Sequence, residues 1–160
     1  MKIRVTCQGE LELSDINDAV RLALCRLPDH ARLGAEDPAA GRLLPDPGAD
    51  AAETWAEVVR PGLLEWFGET DLAVRTDLQS ALGDPGGGRK LRIGPERREA
   101  WIQVLNRARL CLVERYGFTE AELSAGVPGE IDSPRSLVRW ELEIYGFLLS
   151  WLVEVESRQG

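Results

Sequence analysis

Asn106 and Arg109 are the residues of this 160-residue chain whose types and spacing best suit chemistry. Three positions apart on a helix, they project from nearly the same side. Glu141 is the third candidate. It interrupts an apolar run, four residues after Leu137 and three before Ile144, where a buried carboxylate needs a partner or a proton. Arg109 is the expected partner. One reading is therefore a buried Arg109–Glu141 ion pair that docks two helices, with Asn106 bonded to nearby backbone. The other leaves the guanidinium free to anchor an acidic peptide or a small carboxylate, which its planar fork can hold at two points. In that case Trp101, Arg109 and Tyr145 would line a pocket between helices.

Other chemistries have little to build with. Nucleophilic catalysis needs a histidine, or a lysine in its place, oriented by a third group. The chain has one histidine, His30, at the start of an expected loop, and two lysines. Glu141 and Glu143 form a carboxylate pair, but alternate positions on a helix point to different sides. The Glu-x-x-His spacing of carboxylate-bridged metal bundles is absent. The segment Gly83-Asp84-Pro85-Gly86-Gly87-Gly88 invites a phosphate-loop reading that fails, because no Gly-Lys-Ser/Thr follows and a strand rather than a helix comes next. Cys7, Cys25 and Cys111 are too scattered for a zinc site or a disulfide framework and are expected as buried thiols. No catalytic residue, metal or cofactor is expected.

A net charge of -8 disfavours nucleic acid and anionic membranes as partners, since both call for a positive face. No apolar run reaches the roughly 20 residues of a membrane helix, and the start MKIRVTCQGE lacks the apolar centre of a signal peptide. A cytoplasmic protein is expected.

The elements that must position these residues are mostly helices, within one domain over residues 1–160. Around Asn106 and Arg109 the spacing of Trp101, Val104, Leu105, Ala108, Cys111 and Leu112 predicts a helix over 95–116, with Pro95 at its first turn and Gly117 as its stop. Residues 2–13 alternate as a β-hairpin, and a three-residue turn pairing Cys7 with Leu11 and Val5 with Leu13 best fits the hydrophobic register. A helix over 15–27 is capped by Ser14 or Asp15 and ended by Pro28. Residues 29–48 read as loop, anchored by Leu43 and Leu44. Asp50 and Glu53 resemble a capping box for a helix over 50–59. Pro61 breaks it and opens another over 61–82, which Gly68 can interrupt. The 83–88 loop leads to residues 89–93, which alternate and can join the hairpin as a third strand. A short helix begins at Thr119. The last, over 134–157, carries the stripe Leu137, Trp140, Ile144, Leu148, Trp151, Leu152 and Val155 and should pack along 95–116. The fold class is mainly α: a helical bundle with a small antiparallel sheet of two or three strands.

Three segments resemble a known family, the bacterial proteins grouped as DUF2017 and found mainly in actinobacteria. Arg42-Leu43-Leu44-Pro45-Asp46 is similar to its Arg-Leu-aromatic/aliphatic-Pro-Asp segment. Ala100 to Leu110 resembles its Ala-Trp-Leu-x-x-Leu-Asn-x-x-Arg-Leu core. Ser133-Pro134-Arg135 with Tyr145 and Trp151 resembles its ending. Where the family often has an acid after the tyrosine, this chain has Gly146. The resemblance brings no established activity, but it singles out Asn106 and Arg109 again. It also implies a link to Clp-type proteolysis, because genes of the family often lie near the adaptor of that protease. The expected function is a non-enzymatic protein-interaction or regulatory module, with another protein as partner and Arg42 to Asp46 and the Arg109 neighbourhood as its surfaces. The alternatives are a small-molecule binder or enzyme using a pocket around Asn106 and Arg109, and a homodimer with only a scaffolding role.

Overall fold

A computed structural model describes residues 1–34, 36–83, 90–126 and 129–159, with the side chains of 158 and 159 left aside. Most of the expected 83–88 loop, and residue 89 of the expected third strand, lie outside these residues. The chain is mainly helical, with a three-stranded antiparallel sheet of order β1-β2-β3: β1 is Lys2–Val5, β2 Leu11–Ser14 and β3 Leu91–Ile93. The third strand is therefore present.

The hairpin has the three-residue loop but not the expected register. Val5 pairs with Leu11 and Ile3 with Leu13, so the loop is Cys7-Gln8-Gly9 and Cys7 lies in the turn. Thr6 N–H donates to Glu10 O at 2.9 Å and Gly9 N–H to Thr6 O at 3.0 Å. The third residue of such a loop is left-handed, and Gly9 fills that place with φ +78°. A shift of two residues preserves the faces, so Leu11, Leu13, Leu91 and Ile93 still point into the core.

Helix α1 is Asp18–Ala31. Its cap is Asn17, not Ser14 or Asp15: the Asn17 carboxamide accepts from Val20 N–H at 2.9 Å. Pro28 lies inside the helix rather than ending it. The last turn is held from outside, by Arg107 Nε on Ala31 O at 3.0 Å and Arg115 Nη1 on His30 O at 2.9 Å. These guanidiniums satisfy carbonyls that a helix end leaves bare. The expected 29–48 loop thus begins with helix, and it also contains α2, Ala40–Leu43. Ala39, just before α2, is fully buried, while Leu43 and Leu44 are only half-buried.

Pro61 does not break the next helix. A 3₁₀ turn Ala49–Ala51, α3 (Ala52–Thr54), a π turn Trp55–Val59 and α4 (Arg60–Leu82) run on without a gap, and Gly68 does not interrupt them. The wider π turn carries Arg60 N–H to Trp55 O. It shifts the backbone bonding one residue just where Pro61 has no N–H to give. Asp50 makes no side-chain cap; the helical run starts from Gly48, at φ +84°. A genuine capping box opens α6, Glu120–Ser124, where Thr119 and Glu122 bond each other's backbone N–H.

Helix α5, Pro95–Tyr116, runs between the expected limits and ends on Gly117 at φ +59°. It is the central helix, with α1, α4 and α7 (Pro134–Gln159) packed against it. The buried stripe of α7 is Val138, Leu142, Tyr145, Leu148, Leu152 and Val155. Leu137, Trp140, Ile144 and Trp151, expected in that stripe, flank it half-buried. Among the thiols only Cys111 is buried, since Cys7 is on the turn and Cys25 on the outer side of α1.

Candidate functional site

Glu141 is buried as expected, but its cation is not Arg109. Arg26 Nη1, from α1, lies 3.0 Å from Glu141 Oε1. Glu141 and Tyr145 occupy one face of α7, and Arg26 and His30 one face of α1, each pair four residues apart. Where the two helices meet, these four side chains form one cluster. The Tyr145 hydroxyl donates to Ala23 O at 2.8 Å, so its oxygen accepts from His30 Nδ1 at 3.0 Å. That assigns the proton of the neutral ring to Nδ1 and leaves Nε2 bare. Nε2 faces Glu141 Oε2 at 3.9 Å, and Oε2 has no hydrogen-bond partner among the described residues.

The expected place of His30 at the start of a loop is thus overturned. Its side chain is 12% exposed and sits in the last turn of α1. Burial, aided by the Arg26 and Arg115 guanidiniums, pushes its pKa from 6.5 down to about 4. Burial pushes the Glu141 carboxyl up, with Arg26 pulling the other way. The Tyr145 hydroxyl is raised as well, chiefly by burial. Two lone pairs face one another across this gap with room for a proton. Glu141 and Tyr145 are buried, His30 is nearly so and Arg26 is 36% exposed, and the group docks α1 on α7.

Arg109 is half-buried on the other flank of α7: a methyl group added at Gly146 would stand 3.5 Å from its Nε. It forms no ion pair with a described residue. Asn106 is exposed and makes none of the expected backbone hydrogen bonds among the described residues. Trp101 and Tyr145 are sealed in the core, and Trp101 Nε1 donates to Asp77 Oδ2 at 2.9 Å. These four residues are therefore not brought to a common face.

Sequence reasoning missed the two buried arginines of α5, Arg98 and Arg107. Arg107, 3% exposed, lies over the Phe67 ring at 4.4 Å, bonds Ala31 O and Phe67 O, and pairs with Asp71. Its signal was present in the spacing, three after Val104 and four before Cys111 on the apolar face. Arg115 was missed too; it joins His30 O, Arg32 O and Asp37 and so secures the segment after α1.

Arg42 and Asp46 stand beside a groove of about 400 Å³. Leu44, Pro45, Pro47, Trp55, Ala56 and Arg60 line it, and Asp46 adds a carboxylate. Arg42 ties the segment to α5 through Glu114 at 2.8 Å, and Asp46 Oδ1 accepts from Gly48 N–H at 3.0 Å to hold the turn between the prolines. Trp55, at the start of the π turn, is a groove residue that the sequence reading assigned only to helix. A second cavity, of about 390 Å³, lies at Phe118, Ser133, Arg135, Ser136 and Arg139. Its arginines are already engaged: Arg135 stacks on Phe118 and pairs with Glu122, and Arg139 bonds Leu123 O at 2.7 Å.

Among the described residues no group of three or more His, Cys, Asp or Glu side chains could hold a metal ion, and no helix is long and apolar enough to cross a membrane. No curated protein and no solved structure matches the chain. Residues 8–156 match the family described as "Domain of unknown function (DUF2017)", and the chain belongs to that family.

Proposed function

We propose that this DUF2017 protein is a non-enzymatic docking module of the cytosol whose partner is another protein. The observation that carries the reading is the apolar groove at Leu44–Pro47 and Trp55–Arg60. It has the volume to take a short partner segment with one apolar anchor side chain, and its prolines and π turn keep it preformed at low entropic cost. Asp46 and Arg60 add polar groups that can orient the incoming chain. Arg109 and Asn106 are proposed as a second, weaker contact surface. The family resemblance supports a narrower form, in which the partner belongs to Clp-type proteolysis.

Site-directed photo-crosslinking tests the reading. A photoreactive residue replaces Ala56 in the groove or Leu72, an exposed position on α4, and each protein is irradiated in source-cell extract. A discrete adduct from position 56 and not 72, abolished by Trp55→Glu with the fold retained, is expected. No adduct from position 56, or the same adducts from both, overturns the groove reading. Identifying the adduct decides the Clp form.

A small-molecule or enzyme reading draws on the orphaned Glu141 oxygen facing His30. A homodimer draws on the flank of α7, where Phe147 is 49% exposed beside half-buried Trp140, Ile144 and Trp151. Sedimentation of the full chain separates that arrangement from the monomer.

A further inference from the structure

The strand β1 is an edge of the sheet, and its backbone polarity follows from the turn. The bond from Thr6 N–H to Glu10 O sets the antiparallel alternation. Arg4 and Lys2, opposite Glu12 and Ser14, therefore turn their N–H and C=O toward β2. Ile3 and Val5 turn theirs outward. Neither makes a backbone hydrogen bond outside the sheet among the described residues.

The two faces of this edge differ sharply. On the open face stand Lys2, Arg4, Lys90 and Arg92 against the carboxylates of Glu12 and Asp15. That is a cationic patch on a chain of net charge -8. Glu12 is 1% exposed beneath it, with Oε1 taken by Arg4 Nε at 2.8 Å and Oε2 by Arg92 Nε at 2.9 Å. The shared carboxylate holds the two guanidiniums in place. On the opposite face Ile3 is half-buried, and Val5, 43% exposed, extends the core's apolar surface to the edge.

We propose that β1 is a docking strand for an extended segment of a partner protein in which acidic and apolar residues alternate. The outward groups of Ile3 and Val5 supply main-chain hydrogen bonds, as in other strand additions. The partner's acids fall on the face of Lys2 and Arg4, and its apolar side chains cover Val5. This surface is separate from the groove, so either can fail without the other. A bland role for the same charges is to keep one sheet edge from pairing with another. That role predicts no affinity for an acidic strand.

The test is fluorescence anisotropy of the full chain with a labelled peptide alternating glutamate and valine, beside one alternating lysine and valine. The acidic peptide is expected to bind saturably and the basic one not. Val5→Pro removes one outward N–H while leaving the β1–β2 ladder intact. It should weaken binding by roughly tenfold, the value of one lost hydrogen bond, with the melting temperature kept. Arg4→Glu should weaken it by more and lessen its salt dependence. Should Val5→Pro fail to fold, amide exchange of the wild-type chain decides: the Ile3 and Val5 amides must slow when the acidic peptide is added. No binding of the acidic peptide, equal binding by Val5→Pro, or unchanged exchange at both amides overturns the proposal.

Discussion

His30 should make the fold acid-labile, in a pH window fixed by its two environments. Its pKa is about 4 in the folded chain, against 6.5 for an exposed imidazole. The unfolded chain therefore takes up a proton that the folded chain refuses. The sign follows: the contribution is fully present above about pH 6.5 and is lost as pH falls toward about 4. The gap of some two and a half pKa units, at about 1.36 kcal/mol each, sets a ceiling of roughly 3 kcal/mol. Glu141 works in the opposite sense. Its raised carboxyl makes the folded state the better proton acceptor, so its contribution improves as pH falls. Urea unfolding followed by tryptophan fluorescence, at steps between about pH 7.5 and about pH 4.5, measures the slope. His30→Gln keeps an amide to donate to Tyr145 and removes the titration. The stability of wild type relative to this variant should fall by roughly 1–3 kcal/mol across the window. In a Glu141→Gln variant that keeps His30, the absolute loss of stability with falling pH should be steeper than in wild type, because the opposing carboxyl is gone. Parallel pH profiles for wild type and His30→Gln would refute the buried neutral histidine.

The arginines of α5 should separate cleanly. Arg107→Leu leaves Asp71 and the carbonyls of Ala31 and Phe67 without their donor and should cost about 2–4 kcal/mol in chemical denaturation. Arg109→Ala should cost less than ~1 kcal/mol; equal losses would contradict the assignment of the buried arginine. Cys7 and Cys25 should react rapidly with a thiol reagent, and Cys111 only on unfolding, because it is enclosed and burial raises its thiol pKa. Three fast thiols in the native chain would refute that packing.

What the sequence determined by itself is whatever short-range chemistry decides. Pro95 and Gly117 delimit α5 because each end is settled by one residue's backbone freedom. The hairpin and third strand follow from period-two alternation, and α7 from its long apolar stripe. The family, too, was legible, in motifs that stand close together. Where local signals misled, a distant group had changed the balance. Pro28 and Pro61 are helix breakers in isolation. Yet Arg107 and Arg115 hold the carbonyls at the end of α1, and a π turn takes up the bonding before Pro61. His30 read as a loop residue because helix α1 was expected to stop three residues earlier, and its buried neighbours come from α7, more than a hundred positions away. The choice of Arg26 over Arg109 for Glu141 had no sequence signal, since both lie on helices that adjoin α7. Only the approach of α1 and α5 to different flanks of α7 decides which guanidinium reaches the carboxylate. The groove of Leu44 and Trp55 likewise needs two segments brought together in space. Local propensity sets which elements form, but where some of them end, and how a buried charge is satisfied, is decided by whatever the packing brings within about 3 Å.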